Sequence, residues 1–161
     1  MSASGERAYW EERLSRAYSL DGVGWFGLGE PFNRWMYAVR RRLFLRRIGP
    51  LVEPAAEVLD VGSGTGFYVE RWLELGVRSV TGSDLTGTAV ERLQARFPGH
   101  EFHRVDIGGD VTELGADRFA AISAVDMLYH ITSDQSYERA FANFARLLKP
   151  GGLLVFTENF V

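Results

Sequence analysis

Val58-Leu59-Asp60-Val61-Gly62-Ser63-Gly64-Thr65-Gly66-Phe67 is the stretch that decides the fold. An apolar run carrying one carboxylate leads into three glycines at alternate positions. Glycine lets the backbone turn sharply and lets a ligand approach main-chain amides. A glycine-rich turn carries weight only between a strand and a helix. That context is present: residues 57–61 read as a strand, 62–66 as the loop and 67–75 as a helix stopped by Gly76.

The same grammar continues outward. Strands are predicted at 79–83, 101–105, 119–124 and 153–157, and helices at about 87–97 and 133–148, with a loop over 108–117. Five apolar strands separated mostly by helices predict an α/β, Rossmann-like, doubly wound parallel sheet of five strands in the order 3-2-1-4-5. Ligands of such sheets bind beyond the carboxyl ends of the strands. Upstream, residues 6–20 and 32–48 read as helices around a glycine-rich loop that carries Trp25, Phe26 and Leu28. Residues 1–50 are thus expected to form an N-terminal helical cap and 51–161 the core.

Composition narrows the function classes. The chain has 161 residues, 46% hydrophobic and 24% charged, which fits one globular domain. It has no cysteine, which excludes a disulfide framework, a cysteine zinc site and a thiol nucleophile. No metal is expected. The net charge of −3 argues against nucleic acid as a partner. Residues 1–50 carry +4 and residues 51–161 carry −7. No apolar run is long enough for a membrane span and the start lacks a signal-peptide core, so a cytoplasmic location is expected.

Two further carboxylates extend the pattern. Asp84 ends the second strand, where a carboxylate can accept from both hydroxyls of a ribose. Asp106 ends the third, within reach of an adenine amino group. Each alone is also an ordinary strand-end turn residue. A nicotinamide-type fingerprint needs glycines at positions 1, 3 and 6. Here Phe67 occupies the sixth position, and Asp60 beside the loop would repel a pyrophosphate. A dehydrogenase is therefore the weaker reading. No Gly-Lys-Ser/Thr follows the loop, which excludes a P-loop.

Residues 57–66, Ser83-Asp84, Val105-Asp106, Met127-Leu128-Tyr129-His130-Ile131 and Leu147-Leu148-Lys149-Pro150-Gly151-Gly152 resemble, in order, the motifs of class I S-adenosylmethionine-dependent methyltransferases. The resemblance covers about residues 55–158. Ala120, where the family often has Asp, departs from the pattern at a usually structural position. The resemblance implies S-adenosyl-L-methionine as cofactor. It places Asp60, Gly62, Ser63, Gly64, Thr65 and Gly66 around the methionine end and Asp84 with Leu85 at the ribose. Asp106 and the Ile107 backbone would hold the adenine, with Ala124 and Val125 near the sulfonium. It implies methyl transfer to a small-molecule acceptor, which needs a general base only when the acceptor arrives protonated.

Candidates for that base are Tyr129, His130 and Glu158. The bland reading of Tyr129-His130 is a packed turn, and His103 reads as structural. The aromatics Tyr9, Trp10, Tyr18, Trp25, Phe26 and Trp35 form a lid or simply a packed cap. Arg34, Arg40, Arg41, Arg42, Arg46 and Arg47 share one helix. They bind an anionic acceptor or an anionic membrane surface, or form a solvated face with Trp35, Val39, Leu43 and Phe44 turned inward. Tyr37 and Arg40 are further pocket candidates. The family usually continues with a helix and a sixth and seventh strand. A non-catalytic cofactor-binding or protein-interaction module, or a fragment, is thus the alternative. The fifth strand is expected to have an open edge, closed by a second copy or a partner.

Overall fold

The computed structural model describes residues 3–19 and 28–158; Trp25, Phe26 and residues 159–161 lie outside them. The elements are α1 (Ala3–Arg16), α2 (Gly29–Ile48), β1 (Glu57–Val61), α3 (Phe67–Glu74), β2 (Ser79–Asp84), α4 (Gly87–Arg96), β3 (Glu101–Arg104), β4 (Phe119–Ala124), α5 (Asp134–Leu147) and β5 (Leu148–Phe156). The five strands form one parallel sheet in the order β3-β2-β1-β4-β5. Val58 pairs with Val80 on one side and with Ala121 on the other, so β1 is the central strand.

Alternation along β1 divides the core between the two faces of the sheet. Leu59 and Val61 pack with Ile122, Ala140, Phe144 and Leu147, which places α5 on one face. Val58 packs with Val80, Ala121, Phe44, Val69, Trp72 and Leu93, which places α2, α3 and α4 on the other. The helix starts follow local chemistry. Thr86 caps α4 by accepting from the Ala89 amide, and Ser133 caps α5 by accepting from the Ser136 amide.

The structure alters three expectations. β5 begins at Leu148, which pairs with Phe119 before residues 149–152 bulge out and Leu153 resumes opposite Ala121. α1 covers Ala3–Arg16 instead of 6–20. The third concerns the face that α2 buries. Trp35, Val39 and Leu43 are exposed, whereas Asn33, Tyr37, Phe44 and Ile48 are buried. Aromatic packing sets this rotation: Phe44 meets Trp72 at 4.9 Å and Tyr68 at 5.3 Å, and Tyr37 meets Phe67 at 4.7 Å. Among the described residues, no helix is long and apolar enough to cross a membrane.

Candidate functional site

The turn after β1 folds back over the end of β2. The amides of Gly62 and Ser63 both donate to the Ser83 carbonyl, at 2.8 and 3.0 Å. Gly62 has φ 72°, and a Cβ there would lie 2.9 Å from the Met127 Cβ, so this turn excludes other residues. Asp84 Oδ2 accepts from the Gly64 amide at 2.8 Å, while Oδ1 accepts from the Thr86 amide and hydroxyl. Burial pushes the Asp84 carboxyl up against these bonds. Asp106 Oδ1 accepts from the Gly108 amide at 2.9 Å. The Asn143 side chain donates to the carbonyls of Ile107 and Gly109, tying the loop after β3 to α5.

These turns surround a cavity of about 160 Å³ beyond the strands' carboxyl ends. Gly62, Ser63, Gly64, Thr65, Asp84, Leu85, Asp106, Ile107 and Val125 all lie in its wall. Asp60, Gly66 and Ala124 do not. Asp60 points, like Val58, to the α3 side of the sheet. Its Oδ1 accepts from the Ser123 hydroxyl at 2.5 Å, and Ser123 accepts from the Trp72 indole at 2.9 Å. Its Oδ2 is buried without a partner. Burial pushes the Asp60 carboxyl up to about 7, with the Ser123 bond opposing. Gly66, with φ 85°, starts α3; a Cβ there would lie 2.8 Å from Leu93 and from Phe97. Ala124 is fully buried in the α5-side core.

The candidates for a base separate in the same way. His130 lines the cavity with its ring 4.8 Å from Trp10. Burial, then Arg13, push its pKa below the ordinary value, so the imidazole is neutral near pH 7. Tyr129 is 37% exposed and lies outside the wall, with its ring 4.4 Å from that of His130, while Leu128 of the same short turn, Leu128–His130, is buried in the core. Glu158 accepts from the Tyr137 hydroxyl at 2.9 Å and lies outside the wall. His103 sits on β3 between Glu101 and Glu113, also outside it.

Glu6, Trp10 and Leu14 of α1 form one side of the cavity, and Tyr37, Phe67, Tyr68 and Met127 also line it. Of the aromatics read as a lid, Trp10 enters the wall and Tyr18 donates to the Gly64 carbonyl at 3.0 Å. Tyr9 and Trp35 are exposed. The spacing of Glu6, Trp10 and Leu14 marks one helical stripe, but nothing local tells where that stripe lands. Two carboxylates fasten α1 over the cavity. Glu6 accepts from the Thr132 amide and hydroxyl, and Glu11 accepts from the amides of Gly87 and Thr88 and from the Thr88 hydroxyl.

The arginine run does not reach the wall. Arg40 pairs with Asp126, which does line it; Arg34 pairs with Glu30 and Arg41 with Glu74. The wall carries Glu6, Asp84, Asp106 and Asp126 and no Lys or Arg. Such a wall suits neutral or cationic ligands and disfavours phosphates.

A family model described as a methyltransferase domain matches residues 58–152. Nodulation protein S of Rhizobium tropici is 30% identical over 89% of this chain and 57% of its own length. The ubiquinone biosynthesis O-methyltransferase of Xanthomonas campestris pv. campestris is 36% identical over 76% of this chain and 54% of its own. The chain thus spans about half the length of these curated relatives. Among solved structures, the amino pentose methyltransferase CalS10 from Micromonospora echinaspora, with S-adenosylmethionine bound, is 25% identical. It superposes with a TM-score of 0.65 over 77% of this chain and 51% of its own. From the strand order, the ordered motifs and the match over residues 58–152, it follows that this chain belongs to the class I S-adenosylmethionine-dependent methyltransferases.

Proposed function

We propose that this chain binds S-adenosylmethionine in the cavity and serves methyl transfer to a small-molecule acceptor. The observation that carries the reading is Asp84: a buried carboxylate at a strand end, fixed by Thr86 and by the amide of the glycine loop, in the cavity wall. The fit also rests on the close-packed Gly62 turn, which brings the backbone of the glycine loop directly into the cavity wall. When bound, the cofactor supplies an electrophilic methyl group on a sulfonium.

In this reading Asp84, with Leu85 beside it, accepts from the ribose hydroxyls, while Asp106 and the Ile107 backbone hold the adenine. Gly62, Ser63, Gly64 and Thr65 flank the methionine end. Asp60 and Gly66 act from behind the wall by shaping the turn, and Ala124 supports Val125 in the same way. Trp10 and Leu14 exclude water. His130, neutral and in the wall, takes a proton from acceptors that arrive protonated. The acceptor is neutral or cationic, since the wall has no cation to hold an anion. The names of the relatives, which include an O-methyltransferase of ubiquinone biosynthesis and an amino pentose methyltransferase, support the small-molecule class. We further propose a cytoplasmic setting, no nucleic-acid partner, and a β5 edge completed by further strands or by a second copy.

Calorimetry tests the reading first. S-adenosylmethionine is expected to bind and NADH not to; the reverse overturns the proposal. Asp84→Ala, with its circular dichroism unchanged, is expected to weaken binding about tenfold or more, as loss of bonds to a charged acceptor does. Binding without turnover is the second reading. Methyl transfer from labelled cofactor to any member of an acceptor panel would eliminate it.

A further inference from the structure

α2 turns toward solvent a face that neither the core nor the cavity uses. Trp35 is 62% exposed, Leu43 52% and Val39 38%. Spaced by four, they form one row along the helix. Phe32 leans on Trp35 with ring centroids 5.9 Å apart. Helical geometry puts Arg42 and Arg46 on this same face and Arg47 at its flank. These three arginines have no ion pair or hydrogen bond among the described residues, in contrast to Arg34, Arg40 and Arg41. The outward row contains no carboxylate, and Glu30 at the helix start is held by Arg34.

A surface that accepts this face must be both apolar and anionic. A second copy is anionic nowhere along the row, since pairing two such faces sets arginine against arginine. A peptide partner fits poorly as well: the row is a convex ridge, and the cavity contains none of its residues. A bilayer with acidic headgroups meets both demands. Tryptophan and leucine settle at the boundary of headgroups and acyl chains, and guanidinium groups pair with phosphates. We propose that the outer face of α2 docks on an anionic lipid surface, with Trp35, Val39 and Leu43 at the acyl boundary and Arg42, Arg46 and Arg47 on headgroup phosphates. Tyr37, on the inward side of the same helix, lines the cavity, so docking brings the cavity to within about one helix diameter, ~10 Å, of the lipid.

Flotation of the chain with vesicles of phosphatidylcholine, with and without phosphatidylglycerol, tests this independently of methyl transfer. Binding is expected only with phosphatidylglycerol and is expected to fall as salt rises. Arg42→Gln/Arg46→Gln should weaken it roughly 25-fold, about fivefold per arginine. Trp35→Ser/Leu43→Ser should weaken it as well; should that variant not fold, the arginine pair decides alone. No binding to anionic vesicles, or equal binding to both kinds, overturns the proposal. So does binding to soluble polyglutamate as tight as to vesicles, which assigns the face to an acidic peptide. A dimer of the free chain that the Trp35→Ser/Leu43→Ser substitution dissolves assigns it to a second copy.

Discussion

Asp60 has one carboxylate oxygen engaged by Ser123 and the other buried without a partner. Its carboxyl is pushed up to about 7 by burial, from an unfolded value near 4. The unfolded chain therefore gives up this proton more readily than the folded one. The group's contribution to stability is full below about pH 4 and drains away as pH rises through about 7. Asp60→Asn keeps the acceptor for Ser123 and removes the ionisation. The variant is expected to melt several degrees above the parent near pH 8, with the gap narrowing steadily toward pH 4. Calorimetric melts across that range check it, and a gap that does not change with pH would show that ionisation is not the cause. Asp60, Asp84 and Asp106 look alike in the sequence, yet the first does not reach the cavity wall. Strand alternation makes this legible in part, because Leu59 and Val61 claim the α5 side and leave Asp60 with Val58 on the other. The difference between Tyr129 and His130 was not legible, since a single short turn has no period to read.

At the scale of elements, Glu11 joins α1 to α4, and Ser15 adds a hydroxyl bond to Thr88 at 3.2 Å. Glu11 takes the amides of Gly87 and Thr88, and Thr86 takes that of Ala89, so the donors that open α4 are satisfied partly from another helix. Burial pushes the Glu11 carboxyl up, but the bonds from Thr88 and Gly87, with Arg104 nearby, outweigh it and hold it below the usual range. A depressed carboxyl stabilises above its unfolded pKa and ceases to do so as pH falls through the folded one. Glu11→Gln should therefore release α1, raising hydrogen exchange of its amides roughly fivefold at pH 7, the equivalent of about 1 kcal/mol, with the difference shrinking as the solution is acidified. Unchanged exchange at pH 7 would mean that apolar packing alone holds the helix. The strands and their order were readable because apolar runs, glycines and helices alternate in a pattern that only a parallel sheet satisfies. The rotation of α2 was not. Its sequence offers two apolar rows, Trp35-Val39-Leu43 and Tyr37-Phe44-Ile48, and only the aromatic partners on α3 select the second.

Across the whole molecule, the sheet ends in two different edges. β3 is short, whereas β5 runs nine residues and pairs only with β4 among the described residues. Leu153, Leu154 and Val155 are half-buried and Phe156 is 40% exposed, in contrast to the buried β1. An edge of this kind invites pairing. Sedimentation velocity over a concentration series is expected to show reversible self-association of the chain, and one monomeric species at every concentration would count against a second copy there. The strand order also orders events in time. β1 lies at the centre but is made before both of its neighbours. Its contact with β2 closes a short loop, whereas that of Val58 with Ala121 must wait for most of the chain. The half-sheet β3-β2-β1 can thus collapse first, with one flank of β1 unsatisfied until β4 arrives. Closing that long loop is therefore expected to be the slow step of folding.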